Sequence, residues 1–176
     1  MRYVRIGLLI TFGIGLLVVP DVIRLAASDK DVVQEGKDRQ DIEALMWRYA
    51  RALDTLDVEA YASMYTPDGQ FVAGGNPTSG ADALRKMITD LKNRRDEQIK
   101  KGETPAPMYH MDMNKFVEFT AKDRARHHTY WQTVFGAVGR GGQVRVAAAG
   151  NAVDDLVKVN GKWLIKIRNV SPGTSD

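Results

Sequence analysis

Arg39-Gln40-Asp41-Ile42-Glu43-Ala44-Leu45-Met46-Trp47-Arg48-Tyr49-Ala50-Arg51-Ala52-Leu53-Asp54 is the stretch around which the chain is organised. Ile42, Leu45, Met46, Tyr49 and Leu53 fall at i, i+3, i+4, i+7 and i+11, one face of an α-helix, while Glu43, Arg48 and Arg51 point elsewhere. A helix carrying such a stripe needs a wall to cover. Asp54 lies about 120° from the centre of the stripe, at ~100° of rotation per residue, and so reaches the edge of whatever cavity the stripe faces. The segment alone leaves two readings of Asp54 open: a solvated carboxylate at a helix end, or a polar group aimed into that cavity.

Beyond Asp54, Asp57 is placed to cap a short helix over 58–65 by accepting its free N–H groups. Thr66-Pro67-Asp68-Gly69 is turn chemistry, Gln70-Phe71-Val72 a short strand, and 74–80 a loop without the Gly-Lys-Ser/Thr ending of a phosphate cradle. A third helix is predicted over 81–101, with Leu84, Met87, Ile88 and Leu91 on one face and a solvated, charged end from Lys92 onward. The remainder alternates with a period of two, predicting strands over 108–119, 125–135, 144–159 and 163–170. Asn160-Gly161 supplies the two positive-φ residues of a type I′ hairpin between the last pair. Helices first and antiparallel strands after argue for α+β, a curved, mostly antiparallel sheet with the helices against one face.

The 176 residues suffice for one domain. Arg2 and Arg5 precede the apolar run 6–19, Pro20 closes it, and Ala26, Ala27 and Ser28 offer a cleavage site. Residues 1–28 therefore read as a signal peptide and the mature protein as exported, periplasmic or secreted. The alternative is a retained signal-anchor through 6–19, since Leu25 suits the cleavage motif poorly. Residues 29–37 read as a charged tether, 38–171 as the domain and 172–176 as a tail. Arg2, Arg5 and Arg24 against Asp21 carry two of the three net positive charges, so no basic stripe remains for nucleic acid. The chain has no cysteine, hence no disulfide and no thiolate chemistry.

His110, Asp112 and Asn114 share one face of the 108–119 strand, either a solvent-facing strip or the polar lining of a cavity. His127 and His128 are adjacent and so point to opposite faces; with no His-x-His or His-x-x-x-His, no metal site is expected.

Taken together, Tyr49-Ala50-Arg51-Ala52-Leu53-Asp54, Tyr65-Thr66-Pro67-Asp68-Gly69, His110-Met111-Asp112-Met113-Asn114 and the segment from Gly161 to Arg168 resemble the SnoaL-like branch of the nuclear transport factor 2-like superfamily over about residues 36 to 171. That branch includes scytalone dehydratase, bile-acid 7α-dehydratase and hexachlorocyclohexane dehydrochlorinase. The resemblance implies an α+β cone around an apolar pocket, with Asp54 pairing with His110, Asn114 four residues on, Arg168 five residues after Trp163, and Tyr49 as a further catalytic group. Asp112 has no counterpart in that pattern.

The resemblance further implies a cofactor-independent lyase, a dehydratase, or an isomerase acting on a small hydrophobic ring compound. In that chemistry His110, oriented by Asp54, removes a proton, and Tyr49 or Arg168 donates to the leaving group or enolate. No cofactor or metal is expected. Met46, Phe71, Asn114, Trp131 and Phe135 are the candidate substrate-binding residues. A non-catalytic small-molecule-binding or protein-interaction module is the competing reading. A homodimer through the outer face of the sheet is also expected, with membrane contact only through an uncleaved N-terminal segment.

Overall fold

The computed structural model describes residues 20–172, with side chains from residue 29. The signal segment and its cleavage site lie outside what is described in side-chain detail. Among the described residues no helix is long and apolar enough to cross a membrane. The chain divides into two units, Met1–Gly36 and Lys37–Asp176, and the second holds the sheet.

Helix α1 spans Pro20–Thr55. Residues 29–37, expected as a tether, are helical: no proline follows Pro20 to stop the helix, and charged residues are good helix formers. In the second unit the stripe behaves as its spacing predicts. Ile42, Leu45, Met46 and Tyr49 are buried, joined by Ala52 and Leu56, while Trp47 and Arg48 are exposed. The helix ends in a Schellman motif: Asp57 N–H donates to Ala52 C=O at 2.8 Å and Leu56 N–H to Leu53 C=O at 3.2 Å. Leu56 takes the left-handed position, φ 57°, which costs a non-glycine residue about 1 kcal/mol, and burial of its side chain offsets this. Asp57 then caps α2, Val58–Ser63, accepting from Ala60 N–H at 3.0 Å.

Six strands follow: β1 (Tyr65–Ala73), β2 (Asn76–Ser79), β3 (Met108–Ala121), β4 (Arg124–Phe135), β5 (Arg145–Val159) and β6 (Lys162–Asn169), with α3 (Ala81–Lys100) between β2 and β3. Their order is β2-β1-β6-β5-β4-β3, an open sheet, antiparallel except for the parallel pair β1 and β6. The sheet is curved, mostly antiparallel and unclosed, with the helices against one face, the α+β arrangement expected. Two local expectations change. Residues 66–69 form an irregularity inside β1 instead of a turn before it, and the 74–80 loop contains β2, folded back on β1 through Gly74 and Gly75 at φ 59° and 78°. The Asn160-Gly161 turn, φ 50° and 78°, joins β5 to β6 as its sequence dictates.

The core lies between the inner face of the sheet and the helices. Ile42, Leu45 and Met46 of α1, Leu84 and Ile88 of α3, and Leu156, Trp163 and Ile165 of the sheet meet there. Asp38, buried at the edge of this core, accepts from Lys158 Nζ at 2.6 Å and Trp163 Nε1 at 3.1 Å.

Candidate active site

Asp54 occupies the last turn of α1, where the Schellman motif fixes its backbone. Its Oδ1 accepts two bonds from one residue of β3: His110 backbone N–H at 2.8 Å, and His110 Nδ1 at 2.8 Å. The backbone bond anchors the carboxylate to the strand, and the ring bond orients the imidazole. A carboxylate at the C-terminal end of a helix is opposed by the helix dipole, so donors at this position offset a cost of roughly 0.3–1 kcal/mol. Arg51 Nη1, one turn back, stands 3.8 Å from Oδ2. The Asp54 side chain is 9% exposed and that of His110 18%, so the carboxylate is shielded while the ring reaches open space. In the neutral ring, donation of Nδ1–H to Asp54 leaves the lone pair on Nε2.

The strand itself decides which neighbours join. His110 pairs with Thr133 across β3 and β4, and Asp112 with Trp131, which places these four side chains on the inner face. Between Met113 and Phe116 the register slips by one residue, and Asn114 takes φ 51°. This bulge shifts the phase: before it His110 and Asp112 point inward, after it Val117 and Phe119 do. Asn114 is consequently exposed, and the expected face shared by His110, Asp112 and Asn114 ends at Asp112.

Asp112 has a partner that accounts for it. Arg168 Nη2 donates to Asp112 Oδ1 at 3.3 Å and Nη1 to Asp154 Oδ2 at 2.7 Å. Asp154 Oδ2 also meets His127 Nδ1 at 3.0 Å, since His127, Asp154 and Arg168 stand side by side on β4, β5 and β6. Burial works against the Arg168 charge, but Asp154 and Asp112 more than offset it and hold the guanidinium above its ordinary pKa. Its planar face lies over Tyr49, 4.3 Å from the ring centroid. Tyr49 in turn contacts Tyr61 and Tyr65 at 5.3 and 6.4 Å between centroids, and burial pushes the Tyr49 phenol up. The structure therefore brings Asp54 to His110, and Arg168 to Tyr49 and Asp112; Arg168 is spent on carboxylates and does not bond the Asp54–His110 pair.

Among the described residues His127 Nε2, Asp154 Oδ1 and Arg168 Nε, all buried, find no hydrogen-bond partner. Sequence reasoning passed over Asp154, although the alternation Ala152-Asp154-Leu156 puts a carboxylate on a buried face, a signal that a cation must lie opposite. Among the described residues no group of three potential ligands could hold a metal ion.

A cavity of about 1090 Å³ opens between α3 and the far end of the sheet, walled by Leu56, Leu91, Met108 and Phe135. Neither Asp54 nor His110 lines it, but Leu56 and Met108, each two residues along the chain from a member of the pair, do. Of the candidate substrate-binding residues, Phe135 lines this cavity. Met46 is sealed in the core, and Phe71 packs against that core. Trp131 lies across Gly150 with its indole N–H shared between the carbonyls of Asn151 and Val170, each at 3.1 Å.

No curated protein matches the chain. Among solved structures, a Mycobacterium tuberculosis protein of unknown function is 25% identical, covering 76% of this chain and 74% of its own, with a TM-score of 0.62. A candidate scytalone dehydratase of Novosphingobium aromaticivorans is 22% identical over 78% of this chain and 85% of its own, with a TM-score of 0.59. A nuclear transport factor 2-like protein with a cystatin-like fold from the same organism is 19% identical over 89% and 94%, with a TM-score of 0.65. These likenesses carry the fold, and the family model for the SnoaL-like domain matches residues 34–169. Since that match spans well over half of its length, the chain belongs to the SnoaL-like domain family.

Proposed function

We propose that the protein is a cofactor-independent lyase or isomerase acting on a small, largely apolar ring compound, with His110 as general base and Asp54 as the carboxylate that orients it. The observation that carries this reading is the pair of hydrogen bonds from His110 to Asp54 Oδ1, both at 2.8 Å, two residues along the chain from Leu56 and Met108 of the cavity lining. A surface ion pair has no need of a shielded carboxylate oxygen held by both the backbone N–H and the ring of its partner. In a dehydration, His110 Nε2 would take a proton from carbon, the C–H electron pair would form the double bond, and the hydroxyl would leave with the proton returned by the imidazolium. In an isomerisation the same proton would return to a different carbon. A fold relative bearing the dehydratase name supports the first class. Arg168 and Tyr49 enter as positioning groups: Arg168, stacked on the Tyr49 ring, donates to Asp112, two residues from His110.

The test begins with alicyclic and aromatic ligands screened by thermal shift, since a ligand that binds only the folded state raises its stability by mass action. Each hit is then followed for loss of water or migration of a double bond. His110→Ala is expected to abolish turnover, and Asp54→Asn to keep binding while losing rate. Ligands that bind wild type and His110→Ala equally, with neither protein converting any of them, would overturn the enzyme in favour of a binding module. For location, we propose export through residues 1–28. N-terminal sequencing of native protein should begin near Asp29; an intact Met1 in a membrane fraction would mark a signal-anchor instead.

A further inference from the structure

The cavity between α3 and the sheet has an apolar wall and a basic rim. Leu56, Leu91, Met108 and Phe135 supply the first; Arg94, Arg95, Lys101 and Arg145 supply the second. Leu91, Arg94, Arg95 and Gln98 stand at i, i+3, i+4 and i+7 of α3, so one face of the helix is turned to the cavity. The charged run from Lys92, expected as a solvated helix end, is therefore in part a cavity wall.

The charges do not cancel. Each carboxylate of the C-terminal half of α3 has a lysine of the same helix: Asp90 pairs with Lys86, Asp96 with Lys92, and Glu97 with Lys100, at 2.8, 2.8 and 2.7 Å. Glu97 is the one acidic residue in the cavity lining and is thus already engaged. Among the described residues neither Arg94, Arg95, Lys101 nor Arg145 forms an ion pair. Arg145 is held instead by its guanidinium over the Phe135 ring, 5.0 Å from the centroid, an arrangement that leaves its edge donors available. Uncompensated cations around a concave, low-dielectric wall focus a positive potential into the cavity.

We infer that the ligand of this cavity is an amphipathic anion: an apolar ring body seated against Leu91, Met108 and Phe135, with a carboxylate or phosphate head held by Arg95 and Arg145. Two guanidinium forks match the geometry of either head. The inference rests on the proposed function for where the ligand reacts, since Leu56 and Met108 connect this cavity to Asp54 and His110, but not for how it binds.

Three ligands of one shape test it: 2-naphthoate, 2-naphthyl phosphate and the neutral 2-naphthamide, titrated calorimetrically into the full-length protein. At about 50 mM salt at least one anion should bind about tenfold more tightly than the amide, and the ratio should shrink at about 300 mM salt. Which anion wins identifies the head group. Arg95→Gln/Arg145→Gln should bring the ratio to within about twofold of one, chiefly by weakening the anion. Arg145→Gln alone, at an exposed site, should lower the ratio if the double variant does not fold. Equal affinity for all three ligands in wild type, or a ratio that survives both substitutions, would overturn the inference. His110→Ala should keep the ratio. A neutral compound turned over in a His110-dependent manner by a protein that shows no anion preference would refute the anionic ligand and leave the proposed chemistry standing.

Discussion

Arg168→Leu tests whether the guanidinium is a structural charge. Asp154, fully buried, would keep only His127 as a partner, and Asp112 would lose its cation. Removing one member of a buried ion pair costs about 3–5 kcal/mol, because the remaining charge is left in a low-dielectric site. The stacking on Tyr49 adds a smaller loss, part of which leucine recovers by filling the space. A loss of that size lowers Tm by roughly 10–20 °C for a domain of this length. Asp154→Asn in the Arg168→Leu background removes the stranded charge while its amide oxygen still accepts from His127. The double variant should then be more stable than the sum of the two single losses by about 2–3 kcal/mol. Urea unfolding followed by circular dichroism, with unchanged m-values, measures all four corners of the cycle. A loss below about 1 kcal/mol for Arg168→Leu, or two losses that simply add, would refute the argument that this network is a coupled, buried unit.

Three further outcomes are expected. The hydrogen bond from Lys166 holds the Asp68 carboxyl below its ordinary value, so stability from that pair is complete near neutral pH and lost as pH falls through the lowered pKa, below about pH 4. Lys166→Ala should move the Asp68 titration, followed by carboxyl carbon resonances, up toward the usual carboxylate range, with the Thr66 hydroxyl still donating to it; an unchanged titration would contradict the pairing. Gly150→Ala places a methyl 3.0 Å from the Trp131 ring and should cost about 1–3 kcal/mol and alter tryptophan fluorescence, whereas wild-type stability would show the ring free to move. The homodimer we propose would bury Met111, Phe116 and Tyr130, all exposed large apolar residues of β3 and β4. Phe116→Lys should convert a dimer to a monomer by light scattering, and a wild-type monomer at tens of micromolar would dismiss it.

Local signals were legible where short-range chemistry decides the outcome. The α1 stripe, the Asp57 cap and the Asn160-Gly161 turn each follow from a few adjacent residues, and each stands where its pattern puts it. The approach of Asp54 to His110 was reached through family resemblance, because no periodicity joins residues 56 positions apart. Asn114 was misplaced because strict alternation assumes an unbroken ladder, and one inserted residue at φ 51° reverses the phase. β2 went unread because Gly74-Gly75 resembles a loop until β1 offers it a partner. The Arg168–Asp154–His127 row depends on the register of three strands, which pairwise contacts across the sheet determine and no single segment encodes. The basic lining was hidden likewise: a run of charges looks uniformly solvated until i, i+3 and i, i+4 pairing with lysines consumes the carboxylates and leaves Arg94 and Arg95 over.

The central claim is that Asp54 fixes the His110 ring with the proton on Nδ1 and the lone pair on Nε2. Long-range proton–nitrogen correlation spectra of 15N-labelled protein, recorded at about pH 8 where an ordinary imidazole is neutral, report the protonation of each ring nitrogen directly. The account predicts a protonated Nδ1 and a bare Nε2 for His110 in wild type, and loss of that preference in Asp54→Ala. A proton on Nε2 in wild type, or the same spectrum in both proteins, would contradict it.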